Sequence, residues 1–178
     1  MIIIGVDPGL HGAIAVYDSA SGAVLEVFDT PTLTTIVGGK ERERVDKAQL
    51  LHEAIRLRVQ YGAAFVVIEE LVAPSPINRK TGQKRQNGPA GLLAQGRVYG
   101  DTEMAFFGSR YRVEYVHPAS WKKALRVPAV KTAAVARADE LFPGNRSLWR
   151  GARGGALDGR AEAAMIAKYG ADTWAMTR

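Results

Sequence analysis

The feature that most constrains this chain stands at its start. Four β-branched residues occupy the run Ile2-Ile3-Ile4-Gly5-Val6, which is closed by Asp7-Pro8-Gly9. A short apolar run bounded by turn residues reads as a fully buried strand. A sheet that contains such a strand needs helices to cover it. The run also carries a charged group, Asp7, to the edge of the core. Taken alone, an Asp before Pro-Gly reads equally well as a turn residue.

Residues 12–17 and 23–28 read as a second and a third strand. The cluster Asp18-Ser19-Ala20-Ser21-Gly22 turns the chain between them, so the fold opens as a β-meander. Residues 30–44, first Thr-rich and then charged, read as a loop. Asp46 is the expected N-cap of a helix over 47–60, where Leu50, Leu51, Ala54, Ile55 and Leu57 fall at helical spacing. Residues 63–68 form an apolar strand that runs into Glu69-Glu70. Residues 73–89, rich in proline and carrying Arg79, Lys80, Lys84 and Arg85, read as a long loop. A helix over 90–107, a strand over 112–116, and helices near 118–125 and 130–142 follow. Residues 143–155 are Gly- and Arg-rich, and a last helix spans 157–169. This order predicts an α/β fold in one domain over 1–178: a mixed sheet, with a three-stranded antiparallel meander plus parallel strands, flanked by helices. The unit linking 63–68 to 112–116 should cross over right-handed.

Composition narrows the chemistry. A chain of 178 residues that is 47% apolar can bury a full core. It has no cysteine, which excludes disulfides, zinc–thiolate sites and cysteine nucleophiles. The apolar start is too short and too soon acidic for a signal peptide, and no stretch nears the roughly 18 apolar residues of a membrane span. A soluble, cytoplasmic protein is expected. The formal net charge of +6 favours polyanionic partners.

Acids stand where apolar residues are expected at three places: Asp7 after the first strand, Glu69-Glu70 after the fourth, and Asp158 with Glu162 in the last helix. An i, i+4 spacing puts Asp158 and Glu162 on one helix face, where two like charges repel by a few tenths of a kcal/mol. A cation between them would remove that cost. Carboxylates without neighbouring His or Cys suit magnesium or manganese. As a lone pair they read better as a solvated face; the combination with acids at two strand ends favours the functional reading.

The ordered set resembles a known family. Ile4-Gly5-Val6-Asp7-Pro8-Gly9 is similar to the first motif of RuvC-like Holliday junction resolvases, of the ribonuclease H-like superfamily, and Val67-Ile68-Glu69-Glu70-Leu71 to the second. Gly91-Leu92-Leu93-Ala94-Gln95-Gly96-Arg97-Val98-Tyr99-Gly100 resembles the helix after it. His117-Pro118-Ala119-Ser120-Trp121-Lys122-Lys123 resembles the later basic segment, and Asp158 through Ala167 the terminal acidic helix. The likeness runs over nearly the whole chain.

That resemblance implies an endodeoxyribonuclease that resolves four-way junctions by paired nicks. It implies Asp7, Glu69, Asp158 and Glu162 as ligands of two magnesium ions, with manganese able to substitute. Asp7 would bridge the metals, and Glu69 is preferred to Glu70. Lys122 and Lys131 are the catalytic cations expected near the phosphate. Arg79, Lys80, Lys84, Arg85, Lys122, Lys123, Arg150 and Arg153 are the expected DNA contacts, with Arg146 beside them. The partners implied are branched DNA and a second copy of the chain. One departure stands out: the family more often spaces its last two ligands three apart and ends in Asp, where this chain has four and Glu. Trp121 and Trp149 read as packing residues. A superfamily nuclease for flaps or RNA–DNA hybrid, or a non-catalytic nucleic-acid-binding protein of the same fold, would share the pattern. An actin-like phosphotransferase needs a longer chain.

Overall fold

The apolar start forms β1 (Ile2–Asp7), and the meander continues through β2 (Ala13–Asp18) and β3 (Ala23–Asp29). A computed structural model describes residues 1–72 and 88–174, leaving aside the side chains of Lys131 and Thr132. β6 (Phe65–Glu69) and β7 (Arg112–Val116) join the same sheet, whose order is β3-β2-β1-β6-β7. β1 pairs antiparallel with β2 and parallel with β6, and β6 pairs parallel with β7. The expected mixed sheet, a meander extended by parallel strands, is therefore what the chain builds.

Residues 30–44 read from sequence as loop, but a separate hairpin of β4 (Thr32–Val37) and β5 (Lys40–Val45) forms there. Gly38 and Gly39 make its turn at φ 59° and 74°. Two consecutive positive φ values suit the tight hairpin turns that glycine permits at no steric cost. Charges alternate along β5, so Glu41 and Glu43 share one face of the hairpin and Lys40, Arg42 and Arg44 the other.

α1 (Lys47–Tyr61) begins at Asp46, whose side chain accepts from the Gln49 backbone N–H at 3.0 Å. α2 (Pro89–Gly108) starts on a proline, whose missing N–H costs nothing in a first turn. α3 (Pro118–Ala124), α4 (Lys131–Leu141), a 3₁₀ turn at Pro143–Trp149 and α5 (Asp158–Trp174) complete the fold. The Asn145 side chain pins that turn to β3, accepting from Val24 N–H at 3.1 Å and donating to Val24 O at 2.7 Å.

Strand alternation sorts side chains into two cores, one on each face of the sheet. Ile4, Val6, Ile14, Val66 and Ile68 pack with Leu50, Leu57 and Phe106 of α1 and α2. Ile3, Ala15, Tyr17 and Val67 pack with Ala163, Ala164, Ala167 and the aromatics Phe142, Trp121 and Trp149. Trp121 and Trp149 are fully buried, as expected of packing residues. Phe142 meets Tyr17 and Trp149 edge-on, with centroids 5.7 and 5.8 Å apart. Small residues along α5 bring it close against β1 and β2. Among the described residues no helix is long and apolar enough to cross a membrane.

Candidate active site

Parity along the strands decides which acids meet. In β1, Ile3 faces α5, and by period two so does Asp7. In β6, Val67 faces α5, and Glu69 follows on the same side. The parallel register pairs Val6 with Ile68, so one step further Asp7 and Glu69 stand side by side. Glu70 has the opposite parity, and its charge is felt by Tyr99 of α2, on the other face. The site forms where β1 and β6 end, beneath the start of α5.

Gly159 sets how close α5 comes. A Cβ at this position would lie 2.8 Å from His11 O and 3.3 Å from Asp7 Oδ2, so only glycine lets the helix start against the Asp7 carboxylate. Asp158 and Glu162 flank that contact one turn apart. The positive end of the helix dipole is directed at the same place, which favours negative charge there.

The electrostatics record the convergence. Burial pushes the Asp7 carboxyl up to about 7, and Glu162, Glu69 and Asp158 push it the same way, while Lys122 opposes them. Burial also raises Glu69, against the Lys122 ammonium and a hydrogen bond from Trp121. These acids come from three separate stretches of the chain, and each adds to the cost of ionising Asp7.

α3 supplies the counterweight. Lys122 Nζ donates to both Glu162 oxygens at 3.3 Å and lies 4.9 Å from the Trp121 ring centroid. The Trp121 indole N–H donates to Glu69 Oε2 at 2.8 Å. Sequence reading missed this second role of Trp121. The available signal was that a buried indole N–H needs a partner, and the acids nearby are the natural acceptors.

Among the described residues no three acid or imidazole side chains are drawn close enough to hold a metal ion as they stand. Glu162 is turned to Lys122 and Glu69 to Trp121. The donor set is nonetheless all carboxylate, the hard oxygens that suit magnesium or manganese, and it carries more negative charge than Lys122 offsets. Asp7, Glu69, Asp158 and Glu162 are thus chemically fitted to a divalent cation.

The other expected residues lie further out. Lys123 is exposed on α3, and Arg153 is exposed before α5. Arg150 and Arg146 both pair with Asp139, Arg146 at 3.5 Å, and Asp139 also accepts from the Trp149 indole at 2.8 Å. Lys131 opens α4, with its side chain outside the description. Arg79, Lys80, Lys84 and Arg85 fall outside the described residues.

No family model matches the chain, and no curated protein matches it in sequence. Solved structures do match, and with the sheet order they define the fold: this is a ribonuclease H-like fold, similar to that of RuvC structures. Thermus thermophilus RuvC is similar at TM-score 0.51 and 14% identity, over 98% of this chain and 97% of that one. The T. thermophilus RuvC in complex with a Holliday junction substrate is similar at TM-score 0.50 and 14% identity, over 94% and 90% of the two chains.

Proposed function

We propose that this chain is a metal-dependent endonuclease that cuts phosphodiester bonds of branched DNA and resolves four-way junctions by paired nicks. The observation that carries the reading is the convergence of Asp7, Glu69, Asp158 and Glu162 at one end of the sheet, where burial first and the neighbouring acids after it push Asp7 up to about 7. A purely structural cluster of this kind would oppose folding with no return. The reading is further supported by the fold shared with a RuvC whose structure includes a Holliday junction substrate.

The four acids would hold magnesium or manganese. Bound there, the metal would supply Lewis-acid stabilisation of the phosphodiester and an activated water. The chain's own residues set the stage for that chemistry. Asp7, between the other acids, would be the shared ligand. Trp121 fixes one Glu69 oxygen and thereby orients the other. Lys122, on the edge of the cluster, would place an ammonium beside the scissile phosphate as negative charge builds. Arg79, Lys80, Lys84, Arg85, Lys123 and Arg153 would hold the DNA backbone. Lys131 would add a second cation near the cut. Two copies of the chain, related by a two-fold axis, would match the symmetry of a four-way junction and make both cuts.

The test is cleavage of a labelled four-way junction beside a linear duplex, a flap and an RNA–DNA hybrid, with magnesium, with manganese and with EDTA. The junction should be nicked at paired positions only when metal is present. Asp7→Asn should bind the junction as well as the parent or better and leave it uncut. Full cleavage by a folded Asp7→Asn protein would overturn the site, and binding without cleavage by the parent would mean a non-catalytic DNA-binding protein.

A further inference from the structure

The β4–β5 hairpin takes almost no part in either core. In β5 only Val45, at the base, is buried, and Lys40, Glu41, Arg42, Glu43 and Arg44 are all exposed. The hairpin is tied at its foot, where Thr30 N–H bonds to Gly12 O and Asp46 N–H to Pro31 O, both at 2.9 Å. A two-stranded hairpin without a packed face is marginally stable by itself, so core packing gives no reason for this one to stand out from the sheet.

Its charges are sorted by sign. Lys40, Arg42 and Arg44 share one face, and their partners across the hairpin are Val37, Thr35 and Leu33, none of them charged. Among the described residues no carboxylate forms an ion pair with any of the three. Charges that served only to guard a strand edge would stabilise the hairpin better with Glu set opposite Lys or Arg. Here three cations stand about 6.8 Å apart along one strand, and the acids between them point the other way.

The hairpin also stands beside the acids. Asp7, Ala13 and Asp29 are neighbours in one row across β1, β2 and β3, so β3 ends about 10 Å from Asp7. The hairpin starts three residues later, at the same end of the sheet. Thr32 and Glu43 line a cleft with Gly159 and Arg160 of α5. The acidic face of the hairpin is therefore turned to α5, and the basic face is turned away from it.

We propose that the face made by Lys40, Arg42 and Arg44 binds the phosphate backbone of a second duplex arm, one that leaves the branch point beside the arm being cut. This rests on the nuclease reading, because the strand at the acids lies on the other side of the hairpin. Lys40 and Arg44 are about 14 Å apart along β5, a length over which one strand of a duplex presents about four phosphates. Cations on long side chains hold the backbone and read no sequence. A linear duplex has no second arm, so this face is idle there, and the hairpin distinguishes a branch from a duplex.

The experiment measures binding of a labelled four-way junction and of a linear duplex by the full chain, in EDTA, over a range of salt. Lys40→Ala, Arg42→Ala and Arg44→Ala are combined in one variant. The slope of log K against log salt for the junction should fall by about 2.7, from roughly 0.9 per lost phosphate contact. The junction Kd at moderate salt should rise by about tenfold or more, with the duplex Kd little changed. Gln at the same three positions, which keeps longer side chains on the hairpin, should reproduce the loss. Arg110→Gly with Lys168→Ala, which removes two cations ahead of β7 and late in α5, at the other end of the sheet, should leave the junction slope as it is. An unchanged slope in the hairpin variants overturns the proposal and leaves the face to an acidic protein partner. Equal losses on junction and duplex overturn it too, because the face would then hold the arm being cut. The readout needs no cleavage, so the two claims separate. Loss of junction binding in a protein that cuts no branched DNA retains the arm contact and sinks the nuclease, while cleavage by a parent whose hairpin variants keep the full slope sinks only the arm contact.

Discussion

Lys122 Nζ sits 3.3 Å from both carboxylate oxygens of Glu162, and it is the cation that most opposes the rise in the Glu69 pKa. One ammonium thus serves a whole group of acids. Its single charge offsets part of theirs, and it lowers the cost of ionising both Asp7 and Glu69.

Replacing Lys122 with Met keeps the aliphatic stem over Trp121 and removes the charge. Cleavage should fall by roughly 10²-fold, the scale seen when a charge-stabilising donor is lost. Manganese should bind more tightly at pH 8, since a competing cation is gone. Calorimetric titration and single-turnover cleavage measure the two effects. Weaker manganese binding would mean that Lys122 organises the acids rather than competing for them.

The raised Asp7 carboxyl gives a pH signature. Folded Asp7 keeps its proton up to about pH 7, whereas the unfolded group releases it near 3.8. Between those values the folded chain binds more protons than the unfolded one. Metal-free stability should therefore fall as pH rises through that window and level off above about 7. Glu69, shifted in the same direction, adds to the slope. Magnesium needs the ionised acids, so the rise in Tm that it produces should grow from pH 6 to pH 8. Thermal unfolding at several pH values, with and without magnesium, checks both. A magnesium effect that does not change with pH would separate the metal from Asp7.

Trp121→Phe preserves most of the packing and deletes the N–H that reaches Glu69. A hydrogen bond to a charged acceptor contributes about 1.5–3 kcal/mol, and part of that should be lost from stability. Without the donor, Glu69 loses an interaction that lowers its pKa. The acid limb of the cleavage pH profile should move to higher pH. Restoring activity at high pH would mark Trp121 as a positioning residue, whereas a uniform loss at every pH would point to damaged packing.

Much of this was legible in the sequence, for identifiable reasons. A buried strand declares itself by its apolar run, and the residue that ends it is fixed by that run. Asp7 and Glu69 could therefore be placed without coordinates. The resemblance preferred Glu69 to Glu70, but the physical reason is which face of β6 meets α5, a tertiary fact that period two then carries to Glu69. The hairpin was missed because Lys40-Glu41-Arg42-Glu43-Arg44 has no apolar alternation. Both of its faces are mostly exposed, so the usual strand signal is absent. The Gly38-Gly39 pair, flanked by Ile36-Val37, was the clue to its turn. The Trp121–Glu69 bond joins residues 52 apart, which no local pattern reveals.

The last helix carries the sharpest test, because its acids are spaced four apart where the resembling family more often has three. Asp158 and Glu162 lie on one face, and both raise the Asp7 pKa, with Glu162 the stronger. If they were a solvated pair, Asp158→Asn and Glu162→Gln would each change stability by no more than about 0.5 kcal/mol and leave cleavage alone. As ligands, each should lower cleavage by orders of magnitude. Asp158→Asn relieves Asp7 of one like charge and keeps the side chain's shape, so the fold should be retained. Glu162→Gln relieves Asp7 too but gives up the Lys122 ion pair, so its Tm should stay close to that of the parent. Manganese titration should find weaker or fewer sites in both. Normal cleavage by Glu162→Gln beside a dead Asp158→Asn would leave a site of three carboxylates. Glu162 would then serve as the anchor that holds Lys122, and the longer spacing would be a true change of design rather than the same cage stretched by one residue.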